Sequence, residues 1–375
     1  MRRPRLSVTP MEKHGLSMGQ RASTIGWFLL AIGFALALPV LLGLSAWIVV
    51  AIAAAAALLA AGIAAIIGLA FRRHSPGSFV SRWLPAALAL LFVLSILAAS
   101  PVYYLAAVVA SRPLAAPQAT LSNEQRTIIF QGMTHVGSDS FYKAVVYDLE
   151  QALADGYVVY YEGVRPDPAG DAWFSQTLAH GGDLTEEYKS LGEVCGLAFQ
   201  GDYFKLLGPE IREHPDRHVA ADVTTLEMKQ EYDRLIEVDR DFAANAAKAA
   251  AEAEDQADSA DVLARFLRWS QDGDPRHHSL GGVICRGFMT LTLTPSPDKP
   301  PGDLDPIVLD FRNRALVDRI LSDPREHIYV NYGAAHLPGV LKLLKESDPS
   351  WSVKSIKWMR GIEAPEELHG RLGLE

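Results

Sequence analysis

Two Gly-x-x-His motifs are the residues of this chain whose types and spacing best suit chemistry. The first is Gly132-Met-Thr-His135 and the second is Gly333-Ala-Ala-His336. Each follows a short apolar run typical of a buried strand and precedes a helical pattern. The motif is short enough to arise by chance, so the prediction rests on this shared context. An acidic residue, Glu162, ends a third apolar run.

The elements that must position these residues form two strand–GxxH–helix–strand units. In the first, Ser138 begins a helix whose apolar residues recur on one face, and Gly156 ends it. In the second, Pro338 lies in the first turn of the helix. The predicted strands are 127–130, 157–161, 327–331 and 352–358. The order predicts an α/β fold with parallel strands and suggests an internal duplication.

Ligands of parallel sheets bind beyond the carboxyl ends of the strands, where His135, Glu162 and His336 are expected. Two imidazoles and a carboxylate there can bind a divalent metal with an open position for water. They can also act without metal, as a histidine base oriented by the acid. A purely structural role for each histidine, in the core or at a helix end, is the third possibility.

These stretches resemble the TraB/GumN-like family, which is related to the TIKI proteases and more distantly to the ChaN and erythromycin-esterase folds. The resemblance covers residues 125–360 in order, through short motifs rather than continuous similarity. The segments that carry it are Gln131-Gly-Met-Thr-His-Val136, Tyr160-Tyr-Glu-Gly-Val-Arg165, Phe311-Arg-Asn-Arg314, Gly333-Ala-Ala-His-Leu-Pro-Gly339 and, more weakly, His218-Val-Ala-Ala-Asp222.

The resemblance implies an α/β domain with a His/Glu site. In the TIKI branch this site is a metal-dependent protease, which implies manganese, cobalt or zinc here, whereas other branches have no settled activity or no metal. His135, Glu162 and His336 would be the metal and catalytic residues. Arg312 would bind a substrate carbonyl or carboxylate, or hold Glu162.

The first third of the chain predicts a membrane anchor. Residues 22–71 contain no charged side chain, and residues 83–111 form a second uncharged run. One span needs about 20 apolar residues, so we predict three helices in the region 22–111. Their expected ranges are 23–43, 46–71 and 84–110.

Charge predicts the orientation of the anchor. Residues 1–112 carry nine basic side chains and one acidic one, concentrated in the segment 1–21 and the loop after the second span. Basic loops stay in the cytoplasm, so three spans place the following domain outside it, on an inner or plasma membrane. The remainder carries 26 basic and 43 acidic residues, which argues against nucleic-acid binding.

The rest of the chain is predicted coarsely. Residues 112–124 are expected to be a linker, and 125–375 the α/β domain with a helical insertion at about 222–271. Asp222 could be a ligand or base of the site, but the N-cap of this insertion is the favoured reading. Residues 281–294 are expected to be extended. Cys195 and Cys285 either form one disulfide or remain two buried thiols.

The sequence thus predicts a membrane-anchored extracytoplasmic hydrolase, best described as a metal-dependent peptidase acting on peptides or other small substrates. A non-catalytic membrane regulator or ligand-binding module that keeps the same fold is the alternative. A metal-free hydrolase is the third reading. The bilayer is the one partner that composition itself predicts.

Overall fold

The computed structural model describes residues 17–70, 79–178, 182–255, 265–294 and 301–364. The chain divides into two compact units, 1–103 and 104–375. The basic segment predicted at 1–21 and the loop between the second and third spans lie largely outside the described residues, as do parts of the predicted insertion and the C-terminus.

Three apolar helices dominate the first unit, α1 (Met18–Leu44), α2 (Ala46–Ala70) and α3 (Phe79–Ser111). Each is long and apolar enough to cross a membrane. Ser17 caps α1, and Ser45 separates α1 from α2. The predicted number of long apolar helices is therefore confirmed, and α1 and α3 begin five residues earlier than expected.

The second unit is an α/β domain built on a mixed six-stranded sheet of order β6-β4-β7-β2-β1-β8. Four strands, β2, β7, β4 and β6, are parallel, whereas β1 is antiparallel to both of its neighbours. The strands are β1 (Leu114–Ser122), β2 (Thr127–Met133), β3 (Val136–Gly137), β4 (Val158–Tyr161), β5 (Ala198–Phe199), β6 (His218–Ala220), β7 (His327–Gly333) and β8 (Ser352–Ile362). Strands β3 and β5 form a separate small ladder.

Helices cover both faces of the sheet. The helices are α4 (Asp139–Ala154), α5 (Asp171–Leu178), α6 (Leu184–Cys195), α7 (Gln200–Phe204), α8 (Gly208–Glu213), α9 (Thr225–Val238), α10 (Arg240–Asp255), α11 (265–270), α12 (Pro275–Leu293), α13 (Arg312–Ser322) and α14 (Leu337–Ser347). One face packs on α13 and α14, for example through Leu316 and Val340, and the other packs on α4 through Leu149. Strand β7 is buried along nearly all its length because both faces are covered.

Four predictions on the domain need correction. The expected linker contains β1, which pairs with strands on both sides. Strands β2 and β4 are parallel, but β7 lies between them. Thr224, not Asp222, caps α9, which ends before Asp239, and α10 follows it within the expected helical insertion. The segment 281–294 belongs to α12, whose buried residues recur every fourth position at Gly281, Cys285 and Met289.

Candidate active site

Three adjacent parallel strands end at one edge of the sheet and deliver the predicted residues there. Strand β7 lies between β4 and β2. Glu162 directly follows β4, His135 follows β2 by two residues, and His336 follows β7 by three. Parallel strands place their carboxyl ends on the same edge. The charges of Glu162 and His336 both act on His135, so the three side chains share one electrostatic environment.

Glu162 is held by two donors. Its Oε1 accepts a 2.7 Å hydrogen bond from Nη2 of Arg312, and its Oε2 accepts a bond from the backbone amide of Gly333. A Cβ at position 333 would stand 3.2 Å from Oε2, so the glycine leaves room for the carboxylate. Burial alone would raise the pKa of Glu162, but neighbouring His336, the Arg312 charge and the Gly333 amide lower it far below its usual range. Glu162 is therefore a carboxylate and not a general acid.

Arg312 links Glu162 to a second carboxylate that sequence reasoning misjudged. The guanidinium donates to Asp222 Oδ1 at 3.0 Å and to Oδ2 at 2.5 Å, and both residues are buried. Asp222 also accepts a 3.0 Å bond from the Gly163 amide. Burial alone would lower the pKa of Arg312, but the hydrogen bonds to Asp222 and the negative charge of Glu162 raise it above its ordinary value. These contacts are those of a residue that holds Glu162, because they leave little of the guanidinium for a substrate.

His336 faces Glu162 with one ring nitrogen and is oriented by Asn313 through the other. Its Nε2 stands 3.6 Å from Glu162 Oε1, and its Nδ1 lies 2.8 Å from Oδ1 of Asn313. The side chain is almost fully buried, at 2% exposure. A Cβ at Gly339 would overlap the amide of Asn313. The motif Gly333-Ala-Ala-His-Leu-Pro-Gly339 thus makes room at its two end glycines for Glu162 and for Asn313.

His135 stands at the exposed side of the site. Its ring stacks on Tyr188 of α6, with centroids 4.3 Å apart, and its Nδ1 lies 2.9 Å from Nε2 of Gln200. Surrounding protein atoms lower the pKa of His135 by desolvation, although much of the residue faces solvent, while the charge of Glu162 opposes this shift. Sequence reasoning identified neither Gln200 nor Tyr188, because neither lies in a motif or at the end of a parallel strand.

The predicted metal set fits this geometry only in part. Two ligands about 2.1 Å from one ion at a tetrahedral angle stand roughly 3.4 Å apart, so the 3.6 Å between His336 Nε2 and Glu162 Oε1 suits a shared ion. However, Oε1 already accepts from Arg312. Among the described residues, no three His, Cys, Asp or Glu side chains are grouped so that they could hold a metal, and His135 therefore does not complete the set here.

Away from this edge, Cys195 and Cys285 form a disulfide that joins the end of α6 to α12. The sequence left open whether these cysteines form a disulfide or remain thiols, and in the structure they form the disulfide. Since α6 carries Tyr188, this bond braces the wall on which His135 stacks.

Comparisons of the chain with protein-family models, with the curated proteins and with the solved structures find no match. The resemblance to the TraB/GumN-like family stays a prediction that rests on the short motifs.

Proposed function

We propose that this chain is a membrane-anchored hydrolase whose site lies on the extracytoplasmic side and acts on peptides or other small carbonyl substrates. The observation that carries the proposal is the Glu162–His336 pair, facing each other at 3.6 Å while Arg312 and Asn313 fix each partner separately. A partly buried carboxylate kept ionised beside an imidazole is a typical arrangement for proton transfer.

In the proposed reaction, Nε2 of His336 takes a proton from a water molecule, whose oxygen attacks the substrate carbonyl carbon. The resulting imidazolium is stabilised by Glu162, because Glu162, Asp222 and Arg312 together carry one net negative charge. Collapse of the tetrahedral intermediate breaks the bond to the leaving group, which receives the proton from His336. Arg312 is in this scheme a positioning residue for Glu162.

The metal-dependent form of the proposal assigns Glu162 and His336 as ligands of a manganese, cobalt or zinc ion, which would supply Lewis-acid activation of water or carbonyl. His135 would be the third ligand, but its ring is not grouped with the other two. We therefore derive no step through a metal. The duplication suggested by the two strand–GxxH–helix–strand units would explain why a histidine follows each of two paired parallel strands.

The extracytoplasmic location is supported by two independent features. Basic side chains flank the apolar helices and favour a cytoplasmic N-terminus, and an odd number of spans then places the following domain on the opposite side of the membrane. The Cys195–Cys285 disulfide is typical of an oxidising compartment. Protease accessibility of the domain in intact spheroplasts tests this placement, and protection of the domain there would contradict it.

The test of the function uses the full-length chain in detergent micelles with a panel of fluorogenic peptides and esters. We expect Glu162→Gln to lose at least about 100-fold in rate, the scale of lost proton-transfer catalysis. Glu231→Gln is the matched control, because Glu231 also pairs with arginines but lies elsewhere.

Absence of hydrolysis by the wild type, or an unchanged Glu162→Gln rate, would contradict the proposal and favour the non-catalytic module. Metal analysis and a chelator distinguish the two hydrolytic forms. Loss of activity that manganese, cobalt or zinc restores supports the metal-dependent form, and resistance to the chelator supports the metal-free one.

A further inference from the structure

Each histidine of the site is contacted at Nδ1 by one primary amide, but through opposite atoms. Asn313 presents its carbonyl oxygen to His336 at 2.8 Å. Gln200 presents its amide nitrogen to His135 at 2.9 Å. A carbonyl oxygen can only accept a hydrogen bond and an amide nitrogen can only donate one. The two rings are therefore in different hydrogen-bonding states.

We infer that Gln200 and Asn313 are positioning residues that hold the two histidines in opposite tautomers, with the proton of His135 on Nε2 and that of His336 on Nδ1. The partner of one ring nitrogen decides which nitrogen carries the proton in a neutral imidazole. Asn313 Oδ1 requires a proton on Nδ1 of His336, and the amide nitrogen of Gln200 requires a lone pair on Nδ1 of His135. The roles assigned to these states below rest on the proposed function.

Gln200 is placed to do this by the small β3–β5 ladder. Val136 pairs with Phe199 and Gly137 with Ala198, so the residues flanking this ladder, His135 and Gln200, meet. The Gln200 backbone amide donates to the His135 carbonyl at 3.1 Å while its side chain bonds the ring. Gln200 thus fixes both the main chain and the imidazole of His135.

The opposite tautomers give the histidines different chemistry. In its neutral form His336 presents a lone pair at Nε2, as a base or a metal ligand must. His135 presents an N–H at Nε2 and can donate a hydrogen bond to an oxyanion formed on the substrate carbonyl. With Nδ1 engaged by Gln200 and Nε2 protonated, His135 has no lone pair free for a metal ion.

The test is ¹⁵N NMR of the full-length protein in micelles, labelled at the histidine ring nitrogens, at one neutral pH and without added metal. Signals are assigned with His135→Gln and His336→Gln. We expect the wild type to show His135 protonated at Nε2 and His336 at Nδ1. In Gln200→Glu a carboxylate that can only accept replaces the donor, so Nδ1 of His135 gains a proton while His336 is unchanged.

Asn313→Asp is the matched conservative variant, because a carboxylate still accepts from His336 and should keep the Nδ1 proton. If Gln200→Glu does not fold, Gln200→Leu replaces it and should show both tautomers of His135 instead of one. A wild-type His135 proton on Nδ1, or a His135 pattern that no Gln200 substitution alters, would overturn the inference.

The kinetic arm separates this inference from the proposed function. Once a substrate is found, Gln200→Glu should lower the rate about 100-fold, the scale of one lost oxyanion donor. If the wild type hydrolyses nothing, the proposed function fails, but the NMR result still decides the tautomers. If Glu162→Gln abolishes hydrolysis while Gln200→Glu leaves the rate unchanged, the oxyanion role of His135 is contradicted alone.

Discussion

Replacing Arg312 with methionine should be among the most damaging single changes in the domain. The guanidinium is 7% exposed and is the shared counter-ion of Glu162 and Asp222, with donor–acceptor distances of 2.5 to 3.0 Å. Methionine fills similar volume but leaves two carboxylates without their cation. Breaking a buried ion pair on one side costs about 3–5 kcal/mol. For a domain of this size, we expect a fall of about 6–20 °C in Tm.

The stability lost in Arg312→Met should depend on pH, because the substitution changes the pKa of Glu162. In the wild type the pKa of Glu162 lies below its ordinary value, so its contribution to stability is present above about pH 4.3 and is lost at lower pH. Without Arg312, one of the groups that lower the pKa of Glu162 is lost, so that pKa rises, while His336 and the Gly333 amide still lower it. Glu162 of the variant is therefore protonated at a higher pH than in the wild type, and its protonation removes part of the cost of the missing cation. The stability gap between the two proteins should be largest at neutral pH and shrink toward pH 4.

Thermal unfolding of both proteins, followed by circular dichroism between pH 4 and pH 8, measures this gap. Arg314→Met is the matched control on the same helix, because Arg314 is half-exposed and pairs with Glu231 at the surface. It should cost less than about 1 kcal/mol. A loss of stability below about 1 kcal/mol for Arg312→Met, or a loss that stays constant with pH, would refute the role of Arg312 as a buried counter-ion.

Two further predictions concern packing and covalent bracing. Gly339→Ala places a Cβ against the amide of Asn313, so it should lower the free energy of unfolding by about 1–3 kcal/mol and abolish hydrolysis. Gly163→Ala is the control, because no atom lies within 4 Å of its Cβ, and it should leave thermal unfolding nearly unchanged. Equal effects of the two would contradict the reading. Replacing Cys195 and Cys285 by alanine opens a loop of 90 residues and should lower the free energy of unfolding by about 2–5 kcal/mol. A reductant should destabilise the wild type and leave the alanine variant unchanged. Equal stability of wild type and variant without reductant would contradict a stabilising disulfide.

The parts predicted correctly from sequence are those governed by local periodicity. Apolar runs of fixed length identify α1 to α3. The cap at Ser138 and the apolar face ending near Leu153 identify α4. The carboxyl-end rule for parallel strands brings Glu162 and His336 to one edge because β4 and β7 are paired.

Elements defined by distant partners were beyond local reasoning. Strand β1 contains Pro117 and three alanines, and it is a strand because β2 and β8 supply its partners. Helix α12 is rich in glycine and threonine, and only its four-residue spacing of buried positions indicates a helix. Asp222 could have been found by the rule that found Glu162, because it follows the parallel strand β6 by two residues.

The central claim is that Glu162 and His336 act as one unit in hydrolysis, and a double-mutant cycle on the rate tests it most directly. The cycle compares Glu162→Gln, His336→Gln and the double variant with the wild type. Residues that act together are strongly non-additive, so the account predicts a double variant no slower than the slower single one. Losses that multiply would show two independent contributions and contradict the account.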